Sequence, residues 1–324
     1  VVDATKSLLE RNRAKSGEFV ADVHVKAHGY PEGELRVLPN LPEELAQGLF
    51  GHEAIYRTVV RFSNSAPHAQ ADALPDGRGM AVKVFAVTGE MVTTDGPGEA
   101  TQDFLMINHP VFFARNVKDF LRMEEAIVVA DHSPLAAAQK ALTGGDWNPL
   151  HWHWRETITA ARTAVHFPAN PASNIYYSAS PIRYGKYVAK FRMKATGHRL
   201  DNNIDMIKRL GTEKDAMRLA LEETLHTQEV LFEFQVQLRN SEQTMPIEDP
   251  SVEWPESESP YRTVAHLLLP RQEIDALRTQ AAYQNLAFNP WHSLAAHRPL
   301  GGINRARRVV YPVSSDWRRQ QPGV

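Results

Sequence analysis

The sequence predicts an α+β protein built on a closed or strongly curved antiparallel β-barrel with helices around it. Three observations predict it. Residues 17–115 carry a succession of β-branched, alternating segments joined by loops whose length suits a closed or strongly curved antiparallel sheet. Residues 117–145 and 204–227 switch to apolar spacing of the helical kind. Further strand-like segments lie between and after those helices, as a sheet returning on itself requires.

Taken in order, VVDATKSLLERNRAKSGEF reads as a short polar helix with charges of both signs. FVADVHVKAH alternates, with Val23 and Val25 on one face and Asp22, His24 and Lys26 on the other, and reads as a strand. AIYRTVVRFS (54–63), GMAVKVFAVTG and TQDFLMINHPVFF read as strands, and the polar NSAPHAQADALPDGRG as the loop between the first two. VKDFLRMEEAIVVADHSPLAAAQKALTGG reads as a helix stopping at Gly144-Gly145, and IDMIKRLGTEKDAMRLALEETLHT as a second. ASNIYYSAS, KYVAKFRMKA, VLFEFQVQLR (230–239) and TVAHLLLP (263–270) are strands, and MPIEDPSVEWPESESP (245–260) is a surface loop. PLGGINRARRVVYPVSSDWRR reads as a helix opened by Gly301-Gly302 and interrupted at Pro312. Without repeats or a splitting linker, residues 1–324 read as one domain.

Composition limits the chemistry. Lys plus Arg is 36 against 38 Asp plus Glu, a net charge of −2, so no nucleic-acid partner is expected. No apolar run approaches the roughly 18–20 residues of a membrane helix, and the N-terminal segment lacks the apolar stretch of a signal peptide, which predicts no membrane insertion and a cytoplasmic location. With no cysteine, disulfides, thiolate metal sites and cysteine nucleophiles are excluded. Any metal or haem must be held by His, Tyr or carboxylate. His24 and His28, four apart on a strand, are about 13 Å apart and make a poor metal pair. His151 and His153, between tryptophans, read as packed surface rather than a zinc site. That Trp-rich segment, 147–154, predicts homo-oligomerisation. No GxSxG supports a serine triad.

Arg307 and Tyr311 are four apart, on one helical face, which for a lone RxxxY reads as a cation stacked on a ring. Their company changes that reading. VHVKAHGY (23–30), VVRFSNS (59–65), DGRGMAVKVF (76–85), INHPVFFARN (107–116) and RRVVYP (307–312) stand in the order of the motifs VHAKG, VRFST, DPRGFAVKFY, NNTPVFFIRD and RxxxYP. The combination resembles the haem catalase superfamily. The resemblance implies a catalase-like barrel, with haem b (iron protoporphyrin) buried between barrel and C-terminal helix.

Residue by residue, it implies Tyr311 as the proximal iron ligand and Arg307 as its guanidinium partner. His24 is the implied distal acid–base, Asn108 the second distal polar residue, and Ser63 the group orienting the imidazole. Arg61 and Arg318 fall at haem-propionate positions, and Phe113 at the pocket phenylalanine. The chain departs from the family at Ala21, where an arginine is usual, and around the ligand, where Val309, Val310, Tyr311, Pro312 and Val313 replace FxYxD. In size it resembles the minimal catalase-related haem proteins, a group that includes allene oxide synthase; an arm-threaded tetramer and an NADPH site are not expected.

The implied chemistry is consistent. A free phenol of pKa about 10 is about 0.1% ionised at neutral pH. A neighbouring arginine lowers that pKa by roughly 1–3 units, and iron supplies the larger effect. A distal histidine titrating near neutrality would shuttle the peroxide proton while Asn108 donates a hydrogen bond, giving a ferryl haem plus water or alcohol. Val23 stands where allene oxide synthase has Thr, which favours peroxide reduction. The implied function is a catalase-related peroxidase acting on hydrogen peroxide, organic hydroperoxides or both. Fatty-acid hydroperoxide rearrangement or lysis, and non-catalytic haem binding, stay open.

Overall fold

The computed structural model describes the chain apart from residues 18–19, 94–99, 130–138, 140–141, 145, 147, 155–157, 160–161, 163–169, 197–202, 275–282, 284–285 and 321–324. Ten strands occur among the described residues: β1 (Ala27–Gly29), β2 (Glu32–Val37), β3 (Ile55–Asn64), β4 (Arg78–Val84), β5 (Gln102–Ile107), β6 (Ile175–Tyr177), β7 (Ile182–Tyr184), β8 (Tyr187–Thr196), β9 (Val230–Leu238) and β10 (Arg262–Leu269). The order β3-β2-β10-β9-β8-β6-β5-β4, with β4 pairing back to β3, closes an antiparallel barrel of eight strands. β1 pairs outside the barrel with β3, and β7 with β8. Closure removes the free edges of so large a sheet.

The barrel is filled by its own side chains. β9 sends Val230, Phe232, Phe234 and Val236 inward. Phe234 meets Phe104 edge-on at 4.8 Å and Phe50 at 5.0 Å between ring centroids. An interior so packed leaves a large ligand only the outer wall. There β3, β4 and β5 pair with Arg61 opposite Ala81, Ala81 opposite Leu105, Ser63 opposite Gly79 and Gly79 opposite Ile107. With a side-chain period of two, these outward positions form two rows across three strands.

The helices pack outside: α1 (Val2–Ser16), α2 (Val117–Val129), α3 (Asn203–Thr212), α4 (Ala216–Thr227) and α5 (Gly302–Arg318). α1 buries Leu8 and Leu9 and packs on α2 and α5. No helix among the described residues is long and apolar enough to cross a membrane.

Most expected elements appear, with four differences. Residues 20–26 are not a strand: His24 takes a left-handed φ of 57°, and the N–H groups of His24 and Val25 donate to the carbonyls of Ser65 and Ala66 instead of to a sheet partner. The helix expected over 204–227 is two helices. The short β2 and β7 carried no signal strong enough to read. Lastly, α5 runs unbroken through Pro312. Proline removes one backbone donor and costs roughly 3 kcal/mol in a helix interior, but tertiary contacts on both sides hold α5: Ile303 and Val310 before the proline, Ser314 after it, all buried. Beyond residue 129 most of the expected 117–145 helix lies outside the described residues, as does the side chain of His151.

Candidate functional site

Between the outer face of β3–β5 and α5 lies a cavity that opens to solvent and has about 140 Å3 of water-accessible space inside it. Because α5 is continuous, Arg307, Tyr311, Ser314 and Arg318 stand at i, i+4, i+7 and i+11 on one face, and all four line the cavity. Opposite them the barrel wall contributes Arg61, Ser63 and Gly79, and the segment before β1 contributes Ala21, Asp22, Val23 and His24. The remaining wall is mainly apolar: Met80, Leu105, Ile107, Val310 and Phe288 among others.

The left-handed backbone at His24 costs about 1–3 kcal/mol for a non-glycine residue and sets the direction of the imidazole. Its Nδ1 lies 3.0 Å from Ser63 Oγ, and its carbonyl accepts from Arg61 Nη2 at 2.5 Å. A Cβ on Gly79 would lie 2.7 Å from His24 Cε1 and 2.9 Å from Ser63 Oγ, so only glycine admits this pair against β4. Nε2 makes no hydrogen bond to any described residue. Burial, then the charges of Arg61 and Arg307, lower the His24 pKa to about 3. The imidazole is therefore neutral at ordinary pH, whereas the sequence reading expected titration near neutrality.

The Tyr311 hydroxyl also lacks a hydrogen-bond partner among the described residues. Burial raises its pKa, Arg307 works in the opposite direction, and the Asp22 charge adds to the rise. Arg307 donates to Asn304 Oδ1 at 3.3 Å and lies 5.4 Å from the Phe112 ring centroid. Burial and then the nearby Arg61 lower the Arg318 pKa, and Arg61 donates through Nε to the Tyr30 hydroxyl at 3.1 Å. Two guanidinium groups drawn together at a buried edge form a ready partner for carboxylates.

Asn108 sits behind the wall, not on it. Its Oδ1 accepts from the Arg78 backbone N–H at 2.8 Å, and its buried Nδ2 has no partner among the described residues. Phe113 does not line the cavity; it stacks on Phe112 at 4.5 Å in a satellite core with Ile303 and Ala179. His28 is structural: buried, its Nε2 meets Asn64 Oδ1 at 2.7 Å, and Arg78 donates to the same oxygen at 2.7 Å. Seven of the eight residues singled out in the sequence thus either face the cavity or, for Asn108, stand directly behind its wall.

Sequence reasoning passed over Asp22. This buried carboxyl lines the cavity two residues before His24 and accepts from Ser314 Oγ at 2.8 Å. A charged residue at an inward-looking position beside His24 was the available signal. Among the described residues no cluster of three His, Cys, Asp or Glu side chains forms a separate metal site.

These residues suit a haem. A lone phenol with an arginine one turn before it faces a neutral imidazole across one cavity, and two guanidinium groups, Arg61 and Arg318, line the same cavity. No family model matches the sequence, and no curated protein matches it. Solved structures do. A fungal catalase superimposes with a TM-score of 0.67 at 18% identity, over 95% of this chain and 61% of that one. Catalase A from Saccharomyces cerevisiae gives 0.68 at 18% identity, over 97% and 65%. A bacterial catalase gives 0.65 at 15% identity, over 95% and 59%. The fold is thus the catalase fold, and the chain spans about three-fifths of the length of those catalases.

Proposed function

We propose that this chain binds haem b in the cavity and cleaves peroxides, as a catalase-related peroxidase acting on hydrogen peroxide, organic hydroperoxides or both. The observation that carries this reading is that Tyr311 and His24 line the same cavity, each with its polar tip unpartnered. Bound haem supplies a redox-active iron that takes up the oxidising equivalents of a peroxide.

The protein does the rest. Tyr311 would hold the iron through its phenolate oxygen, and Arg307 works against part of the burial effect that keeps the phenol protonated. Arg61 and Arg318 bind the propionates. His24, neutral and with Nδ1 on Ser63, accepts the peroxide proton at Nε2 and returns it to the departing oxygen. Asn108, behind the wall with its buried Nδ2 unpartnered among the described residues, is the second distal polar residue of this reading. Ala21 lines the cavity beside His24 at the position where the larger family has an arginine, which supports organic peroxides alongside hydrogen peroxide.

Hemin titration followed by absorbance tests the first half; a stoichiometric Soret band is expected, and a protein that stays transparent refutes the proposal. Turnover of hydrogen peroxide against a fatty-acid hydroperoxide tests the second. Water and alcohol as products, with consumption of a reductant, are expected. An epoxide formed without reductant would assign the chain to hydroperoxide rearrangement instead.

A further inference from the structure

Arg61 reaches out of the cavity to a pair of tyrosines. Its Nε donates to the Tyr30 hydroxyl at 3.1 Å, and its guanidinium carbon lies 5.8 Å from the centroid of that ring. Tyr30 is 5% exposed. Its ring lies 6.2 Å from that of Tyr283, centroid to centroid and inclined by 35°. Tyr283 is only partly buried, and its hydroxyl donates to a carboxylate oxygen of Glu32. Glu32 is held in place by Gln272, whose side chain accepts from the Glu32 N–H at 2.9 Å and donates to its carbonyl at 2.8 Å. The contacts therefore run unbroken from the cavity wall through Arg61 and the buried Tyr30 to a partly exposed phenol whose hydroxyl donates to the Glu32 carboxylate.

We propose that Tyr283 is a surface oxidation site, connected to the cavity through Tyr30, at which a small electron-rich aromatic donor gives up one electron at a time. The proposal rests on the haem peroxidase reading, because the oxidant is the haem left two equivalents oxidised by a peroxide. In the step, one electron passes from Tyr283 through the Tyr30 ring to that haem, and the phenolic proton moves to Glu32. A phenol that loses an electron becomes strongly acidic, so a carboxylate already on its proton lowers the cost of oxidation. The donor then returns an electron to the phenoxyl oxygen, and Glu32 returns the proton. Over the cycle two donor phenols each lose one electron and one proton, and these two electrons and two protons convert the oxygen atom left from the peroxide into water. Burial, followed by the Glu32 hydrogen bond, holds the Tyr283 phenol above its ordinary pKa, so the proton is present to be moved.

The test uses hemin-loaded protein, hydrogen peroxide, and a phenol tethered to a polymer too large to enter the cavity. The wild type is expected to oxidise the tethered phenol and to give a phenoxyl signal in freeze-quench EPR. Tyr283→Phe is expected to lose that signal and about tenfold or more of the tethered-phenol turnover, with the peroxide-driven change in the haem spectrum intact. Tyr283→Trp, which restores an oxidisable ring, should recover part of the turnover. A Tyr283→Phe protein that keeps both the signal and the turnover overturns the proposal. A wild type whose haem spectrum does not respond to peroxide overturns the peroxidase reading, and this proposal with it. Without hemin, Glu32→Gln should bring the phenol titration of Tyr283 down; an unchanged titration overturns the role given to Glu32.

Discussion

Ser314 Oγ donates to Asp22 Oδ1 at 2.8 Å, and this bond joins the tyrosine-bearing helix to the segment that carries His24. The two partners are 292 residues apart, and each sits within a turn or two residues of a group facing the cavity. Burial raises the Asp22 pKa against the opposing pull of Ser314 and Arg318, so the carboxyl depends on its donors. Ser314→Ala is expected to leave a buried acceptor short of a donor and to cost about 1–3 kcal/mol, read as a lowered urea midpoint. Hemin affinity should fall in parallel, because the second half of α5 is no longer tied down. A variant with wild-type stability and affinity would show that the bond holds nothing.

Gly79 leaves the space in which His24 and Ser63 meet. A methyl group there would come within 2.7 Å of the imidazole. Gly79→Ala should push the ring aside, keep the Tyr311 side of the site, and bind hemin while losing most peroxide cleavage. The haem spectrum without and with peroxide separates these effects. Unimpaired cleavage would mean that the His24–Ser63 contact is not needed.

Much of this arrangement was legible in the sequence, and what was not has physical reasons. The barrel strands were readable because their core-facing apolar residues recur at every second position, as Val230, Phe232, Phe234 and Val236 do in β9. Residues 20–26 alternate too, but the rule describes a segment with a sheet partner, and these amides bond to loop carbonyls at Ser65 and Ala66. The run through Pro312 was hidden because the penalty is local while the compensation, Asp22 with Ser314, is not. The same non-locality hid Tyr30 and Tyr283, adjacent in space and far apart in the chain. The His24 pKa depends on burial and on Arg61 and Arg307, which only the folded chain gathers. The spacing of Arg307 and Tyr311 was fully legible, since a helix places both on one face without help from any other element.

The two faces of the cavity should separate by mutation. Tyr311→Phe removes the single phenol opposite His24 and should abolish or loosen hemin binding, seen as loss of the Soret band on gel filtration. His24→Ala should retain hemin and lose about 100- to 10 000-fold in peroxide cleavage, the range for a positioned acid–base group. Full activity in His24→Ala would remove the distal assignment, and stoichiometric, tight hemin in Tyr311→Phe would remove the proximal one.

Glu124 on α2 should make stability depend on pH. It is 3% exposed, and its Oε2 has no partner among the described residues. Burial, then the Asp22 charge, push its pKa up from 4.5 to about 7. Below pH 4.5 the carboxyl is protonated in both the folded and the unfolded chain, and its contribution is fully present. Between pH 4.5 and about 7 the unfolded chain releases the proton and the folded chain keeps it. The folded state then binds more protons, so stability falls as pH rises, by at most about 1.4 kcal/mol per unit, and levels off above the folded pKa. Glu124→Gln removes the titration, so its urea midpoint should vary less across this window and exceed the wild-type midpoint at the alkaline end. Urea unfolding at a series of pH values reads both slopes. Parallel slopes would mean that Glu124 finds water or a partner when ionised, and that the pH response of the fold belongs to other groups, Asp22 first among them because its pKa is raised by the same burial.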